Sequence, residues 1–143
     1  MSIRQLTVFV ENRQGALAEV TNELASHNVD LRALSMADTQ EFGVLRLIVK
    51  DVDSALAVLR ESGHIVNVTP VTAVKISDAP GRLAQALAVL DEKGINIEYL
   101  YAFLTRTEKH AYVVLRVEDN DGAKDALTNA GFKLVQESDL QKL

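Results

Sequence analysis

The stretch from Ser77 to Leu83 holds the residue types and spacing best suited to bind a small charged molecule. It follows an alternating apolar segment and precedes one with helical spacing, so it should form the turn from a strand into a helix. The free backbone N–H groups of Gly81, Arg82 and Leu83 would point out of the positive end of that helix, a favourable place for a carboxylate. Asp78 beside them could accept hydrogen bonds from an ammonium group. A free amino acid carries both of these groups.

A purely structural interpretation of the same stretch is also open. Asp78 could cap the helix, and Pro80 with Gly81 could simply make the turn, because proline fits well near a helix start. Glycine, however, also lets a ligand or a second backbone approach closely.

An internal repeat places a second copy of this stretch near the N-terminus. Gly15 aligns with Gly81 at an offset of 66 residues, and Gly63 aligns with Gly131 at an offset of 68 residues. A two-residue insertion in the second copy, around residues 105–109, accounts for the change in offset. The sequence therefore predicts a duplicated unit.

Each copy has the pattern β-α-β-β-α-β. In the first copy we predict strands at 3–11, 29–37, 43–50 and 65–68, a helix at 15–27 and a second helix capped by Asp51 or Asp53. In the second copy we predict strands at 71–77, 95–105, 111–118 and 132–136 and helices at 81–93 and 120–130. This order is typical of the ferredoxin-like α+β fold, a four-stranded antiparallel sheet with both helices on one face. We expect domains at 1–69 and 70–143, with their sheets joined side by side into an eight-stranded sheet.

Polar residues recur at matching positions of the two copies. Asn12 corresponds to Asp78 in the strand–helix turn, and Asp30 corresponds to Asn96 at the start of the second strand. A polar side chain in an otherwise apolar strand start needs a hydrogen-bond partner. This correspondence favours a binding role over a purely structural one.

The pattern Asp78-x-Pro80-Gly81-x-Leu83, followed by a helix and then by Gly94-Ile95-Asn96-Ile97, resembles the ACT domain. The resemblance covers essentially the whole chain, once per repeat, and is stronger in the second copy. ACT domains are small ferredoxin-like regulatory modules that bind amino acids. The resemblance implies a ligand site between paired modules, where the strand–helix loop of one module faces the second strand of its neighbour.

Carried over position by position, the resemblance selects ligand-binding residues in both copies. In the first copy they are Asn12, Gly15, Ala16, Leu17, Asp30 and Leu31; in the second they are Asp78, Pro80, Gly81, Arg82, Leu83, Asn96 and Ile97. The first copy departs from the pattern because Gln14 replaces the proline and Asn12 replaces the acid. Its site could be weaker, selective for another ligand, or silent.

Composition excludes several classes of function. The chain has no cysteine, which removes disulfides and thiolate chemistry and fits a cytoplasmic protein. Its net charge is −5 with scattered basic residues, which argues against nucleic acid as a partner. No apolar run approaches the length of a membrane span. The histidines lack metal-ligand spacing, the acidic run 118–122 is better explained as a helix cap than as a calcium loop, and no cofactor is predicted.

We therefore expect a non-catalytic amino-acid sensor whose bound state is read by an enzyme or regulator in trans. A homodimer that covers the remaining sheet edges is expected. One alternative is a small ferredoxin-like hydrolase of the acylphosphatase type, which would use Arg13 or Arg82 with Asn12 or Asn96. The other is a protein-interaction module with no ligand.

Overall fold

The structure, a computed structural model, describes residues 2–38, 41–104 and 109–142 and divides the chain into two compact units. The first unit is Arg4–Thr69; the second begins at Pro70 and also includes the N-terminal residues up to Ile3. Within the described residues no helix is long and apolar enough to cross a membrane.

The first unit is built from one four-stranded arrangement and two helices. Its elements are β1 (Ile3–Glu11), α1 (Ala16–Ser26), β2 (Leu31–Asp38), β3 (Phe42–Val49), α2 (Val52–Glu61) and the beginning of β4 (Val66–Ser77). The strand order is β2-β3-β1-β4, and β1–β3 and β2–β3 are antiparallel. This is the order of a ferredoxin-like βαββαβ unit, as predicted.

The second unit repeats this arrangement. Its elements are the remainder of β4, α3 (Arg82–Glu92), β5 (Ile97–Ala102), β6 (His110–Val117), α4 (Asn120–Asn129), β7 (Lys133–Val135) and a short 3-10 helix (Glu137–Gln141). β6 pairs with β5 on one side and β4 on the other, β7 pairs with β4, and all three pairings are antiparallel. The C-terminal 3-10 helix was not predicted from the sequence.

The expected number of strands is wrong: the described residues form seven strands rather than eight. The segments predicted as separate strands at 65–68 and 71–77 are one strand, β4, with Pro70 inside it. Proline lacks a backbone N–H, which suggested a break. Here the Pro70 carbonyl accepts bonds from the side chains of Arg116 and Asn120, at 3.4 and 3.2 Å.

Two further predictions lie wholly or partly outside the described residues. The connection between the strands predicted at 29–37 and 43–50 includes residues 39 and 40, and the insertion expected around 105–109 includes residues 105–108.

The core of each unit lies between the helices and one face of the strands. Alternate residues of β1 pack against α1 and α2 in the first unit, which makes Leu6, Val20 and Leu59 fully buried. In the second unit Ala86 and Leu127 hold the positions equivalent to Val20 and Leu59, and Val74, Leu90 and Leu115 belong to the same core cluster. The alternation of apolar side chains in the sequence therefore predicts which face of each strand is covered.

The N-caps of α2 and α4 follow the sequence prediction. The Asp51 carboxylate accepts a hydrogen bond from the Ser54 N–H at 3.1 Å, and the Asp119 carboxylate accepts one from the Gly122 N–H at 2.9 Å. The acidic run at 118–122 is thus a helix cap, and the described residues contain no group of three or more side chains that could hold a metal ion.

Candidate functional site

The strand–helix loops of the two units share one backbone structure. In the first loop the N–H groups of Asn12, Arg13 and Ala16 donate to the carbonyls of Glu41, Glu11 and Arg13. In the second loop the N–H groups of Asp78, Ala79 and Arg82 donate to the carbonyls of Lys109, Ser77 and Ala79. The donor and acceptor residues of each bond in the second loop are equivalent to those of a bond in the first loop, at the offset of 66 or 68 residues seen in the sequence. The duplication is therefore preserved in the hydrogen bonds of the candidate site.

Gly15 and Gly81 are the N-caps of α1 and α3 and have a left-handed backbone, with φ of 85° and 87°. Residues that carry a side chain rarely adopt this backbone conformation, which explains why both positions are glycine. A Cβ atom at either glycine would meet nothing within 4 Å. The space above each loop is therefore open.

The first turn of α3 differs from the sequence prediction in two respects. Asp78 is not the cap, because Gly81 is the N-cap and receives no side-chain hydrogen bond. The Arg82 N–H is not free, since it donates to the Ala79 carbonyl at 3.3 Å. The N–H groups of Gly81 and Leu83 make no hydrogen bond with another described residue. Two of the three predicted donors thus remain available.

Asp78 and Asn96 are exposed, and their side chains form no hydrogen bond or ion pair with the described part of the chain. Asp30, the counterpart of Asn96 in the first unit, is also exposed but has an ion-pair partner. Asp30 pairs with Arg32 at 3.4 Å, and the Arg32 side chain is only 11% exposed. The charged group at the start of the second strand is therefore already engaged in the first unit.

A cluster of charges occupies the loop of the first unit. The Arg13 guanidinium lies 2.9 Å from Glu11 and 3.0 Å from Glu19. Its hydrogen bond to Glu19, followed by that to Glu11, raises the pKa of Arg13 above its usual value, so the group stays charged. The second repeat has Ser77, Ala79 and Gln85 at the three positions and cannot form this cluster.

The two parts of each predicted site lie at opposite ends of their unit. In the second unit Ser77, beside the loop, pairs with His110 at one end of β6, and Ile97 pairs with Val117 at the other. His110 and Val117 are seven positions apart along β6, which is about 23 Å at the rise of an extended strand. The first unit repeats the pattern, with Glu11 opposite Phe42 and Leu31 opposite Val49. No single unit brings its loop and its second-strand start together.

The remaining predicted residues lie at the same two places. Ala16 is buried under the first loop, Leu17 is 41% exposed, and Leu83 is half-buried. Leu31 and Ile97 are half-buried, and each is followed by an irregularity in the pairing of its strand. Such bulges redirect side chains and are common beside binding sites. Pro80 is exposed in the turn before Gly81.

The arrangement required for an acylphosphatase-like reaction is not assembled within either unit. Arg13 is held by two carboxylates, and Arg82 lies at the opposite end of its unit from Asn96. Arg82 instead donates to the Gln85 side chain at 2.5 Å and lies 4.4 Å from the centre of the Phe132 ring.

Comparison with solved structures shows the same fold along the whole chain. Protein BT0572 from Bacteroides thetaiotaomicron is 38% identical with a TM-score of 0.93, covering 100% of this chain and 98% of that protein. The regulatory subunit of aspartate kinase from Thermus thermophilus, in its ligand-free form, is 19% identical with a TM-score of 0.67, covering 92% of this chain and 94% of that subunit. The corresponding subunit from Thermus flavus is also 19% identical, with a TM-score of 0.62 and coverage of 91% and 93%. At that identity the two kinase subunits show likeness of fold alone.

A search of curated proteins gave no match. The family model of the ACT domain pair matches residues 1–143, the full length of the sequence. The match agrees with the two βαββαβ units, their equivalent loops and the 38% identical structure. The chain therefore belongs to the ACT domain pair family.

Proposed function

We propose that this protein is an amino-acid sensor that performs no catalysis itself and is read by a partner enzyme or regulator. In the proposed site, the loop Asp78–Leu83 of one chain faces the start of a second strand of a neighbouring chain. Asn96 and Ile97 are examples of residues at such a strand start. The proposal extends the regulatory character of the ACT family to a particular loop of this chain.

One observation carries the proposal: the second loop presents a carboxylate next to N–H groups, and none of these groups has a partner in the part of the chain that the structure describes. The Asp78 side chain is exposed and forms no hydrogen bond or ion pair with a described residue, and the N–H groups of Gly81 and Leu83 have no partner among the described residues. The ammonium group of an amino acid can donate to the Asp78 carboxylate, and its carboxylate can accept from the N–H groups of Gly81 and Leu83. Charge-assisted hydrogen bonds of this kind are about twice as strong as neutral ones.

The first loop is less suited to the same ligand. Arg13, Glu11 and Glu19 already satisfy one another beside Gly15, and Asp30 is paired with Arg32. An incoming amino acid would have to compete with these internal pairs. We therefore assign the main ligand site to the second repeat.

A second copy of the chain supplies the missing half of the site. Loop and second-strand start lie about 23 Å apart within a unit, too far for one amino acid to touch both. Among the described residues, β2 and β5 are edge strands, each paired on one side only. A neighbouring copy that packs along such an edge could bring its own strand start to the loop. A ligand that binds one packing better than another would shift the balance between them, which a partner protein can detect.

The test is a thermal-shift screen of the protein against the twenty amino acids, followed by calorimetry with the best ligand. At a hundredfold excess over Kd, binding stabilises the folded state by about 2.7 kcal/mol. Asp78→Asn keeps the size of the side chain and removes its charge, so we expect affinity to fall about 10- to 100-fold. Asn12→Ala at the equivalent position of the first loop is the matched control and should leave affinity within about twofold.

The outcomes separate the competing functions. A response to one amino acid that Asp78→Asn abolishes and Asn12→Ala preserves supports the proposal. A response that only Asn12→Ala abolishes would move the site to the first repeat. A flat response to all twenty amino acids would overturn ligand sensing and favour a pure protein-interaction module.

A further inference from the structure

The second unit contains a basic cavity that lies beside the amino-acid loop Asp78–Leu83 and shares only Arg82 with it. The cavity has a volume of about 260 Å³ and lies where β7 begins beside β4. Its polar side chains are Lys75, Ser77, Arg82, His110 and Lys133. None of the residues that line it is acidic, although the chain as a whole carries a net charge of −5.

The two lysines are held in an arrangement that is unfavourable without an anion. Lys75 lies directly opposite Lys133 in the β4–β7 ladder. Like charges directly opposite each other on a sheet repel. Neither lysine forms an ion pair with a described residue. A bound anion would relieve this repulsion.

Arg82 is positioned before any ligand arrives. Its guanidinium is stacked 4.4 Å from the centre of the Phe132 ring, and one nitrogen donates to Gln85 at 2.5 Å. A guanidinium has five N–H donors, so others remain for an anion. Ser77 and His110, which are paired across β4 and β6, add a hydroxyl and an imidazole.

The first repeat shows that the fold does not require these basic residues. The positions equivalent to Lys75, Arg82, His110 and Lys133 are Phe9, Ala16, Phe42 and Ile65. Phe9, Phe42 and Ile65 are 40%, 53% and 68% exposed, and the Phe9 N–H donates to the Ile65 carbonyl at 3.1 Å. The same backbone thus carries apolar side chains in one repeat and a basic cavity in the other. The basic set therefore calls for a functional explanation.

A second cavity of about 250 Å³ adjoins the first and shares Lys75 and Lys133 with it. It adds Tyr112, Leu134 and Lys142, which offer an aromatic ring, an apolar wall and another cation. Its one acidic residue, Asp139, already accepts a hydrogen bond from the Gln136 N–H at 2.8 Å. This space can hold the uncharged part of a ligand whose anionic group lies in the first cavity.

We propose that the basic cavity binds the phosphate group of a small phosphorylated molecule. Lys75, Lys133 and Arg82 would contact the phosphate, Ser77 and His110 would bond to its oxygens, and the rest of the molecule would lie against Tyr112. Three cations around one space suit a doubly charged phosphate better than a singly charged carboxylate. The proposal does not depend on amino-acid sensing, because Lys75 and Lys133 lie outside the loop Asp78–Leu83 and only Arg82 belongs to both sites.

The test measures binding of inorganic phosphate, AMP and glucose 6-phosphate by calorimetry, with sodium glutamate as a carboxylate probe and sodium chloride keeping ionic strength constant. We expect the phosphate compounds to bind and glutamate to bind at least about tenfold more weakly at this site. Lys75→Gln and Lys133→Gln should each weaken phosphate binding at least about tenfold. Lys93→Gln, an exposed lysine at the end of α3, should leave it unchanged.

The melting temperature of the unliganded variants provides a second measurement. Removing either opposed lysine should leave it unchanged or raise it, so lost binding cannot be attributed to unfolding. A preference for AMP over glucose 6-phosphate would assign the adjoining cavity to a base, and the reverse to a sugar; both support the proposal. Equal responses to phosphate and chloride, unchanged binding in the Lys75→Gln/Lys133→Gln double variant, or stronger binding of an oligonucleotide than of AMP would overturn it.

Discussion

Asn28 and Gly94 occupy the same position in the two repeats and share a left-handed backbone, with φ of 56° and 71°. Asparagine tolerates this conformation better than other residues with a side chain, and glycine adopts it freely. We expect Asn28→Gly and Gly94→Asn to change the free energy of unfolding by less than about 0.5 kcal/mol, and Asn28→Ala and Gly94→Ala to lower it by about 1 kcal/mol. Urea denaturation of the four variants measures this. Equal costs for alanine and for the exchanged residue would contradict the backbone explanation.

Backbone positions of this kind were predictable from the sequence, whereas side-chain partners were not. Asparagine and glycine indicate such positions in a sequence because residue type limits local conformation. The Arg13 cluster was missed because Glu19 lies six residues away, across a loop whose course the sequence does not specify. The basic cavity was missed for the same reason: Lys75, His110 and Lys133 come from three strands far apart in the chain.

The start of α4 is joined to β4 by a polar contact that the first repeat replaces with apolar residues. The Thr72 hydroxyl, in a residue only 2% exposed, donates to the Asn120 side-chain oxygen at 2.7 Å. The equivalent residues of the first repeat are Leu6 and Val52, both in its apolar core. The same pair of positions is therefore polar in the second repeat and apolar in the first.

This contrast predicts a non-additive pair of substitutions. Asn120→Val leaves the buried Thr72 hydroxyl without its partner and should lower the free energy of unfolding by about 1–3 kcal/mol. Adding Thr72→Val removes the orphaned hydroxyl, so the double variant should be more stable than Asn120→Val alone. Chemical denaturation of the two single variants and the double variant completes the cycle. Strictly additive effects would show that the contact contributes no coupling energy.

The order of strands and helices was predicted correctly, and the main error came from Pro70. Apolar periodicity defines each element because it reports the covered face. Proline usually ends a strand, yet β4 continues through Pro70, where side chains of Arg116 and Asn120 bond to its carbonyl. Those partners lie 46 and 50 residues away, so local sequence could not reveal them.

The candidate amino-acid site could be predicted from the sequence only as separate halves. The loops and strand starts were identified by residue type and repeat position, but their separation along β3 and β6 became clear only from the strand registers. Because each unit holds its two halves at opposite ends, a complete site requires a neighbouring module. Assembly of two copies is therefore a condition for sensing in the function proposed here.

The edge strands provide a direct test of that condition. Leu34 on β2 and Leu100 on β5 are equivalent residues on the helix-covered side of their sheets, and they are 41% and 40% exposed. A strand or helix from a second copy would cover them, and apolar surface buried in this way stabilises by about 25 cal/mol per Å². We expect the protein to be a dimer by size-exclusion chromatography with light scattering. Leu34→Glu or Leu100→Glu should dissociate it by placing a charge in the contact.

Ile65→Glu is the matched control, because Ile65 is an apolar residue that is 68% exposed but lies outside both edge strands. It should leave the dimer intact. The dissociating variant should also lose its thermal response to the amino acid, since each monomer retains only half-sites. A monomeric variant that binds the amino acid as tightly as the unmodified protein would show that one chain completes the site alone. Dissociation by Ile65→Glu and not by the edge substitutions would place the contact on the face that carries Phe9 and Phe42.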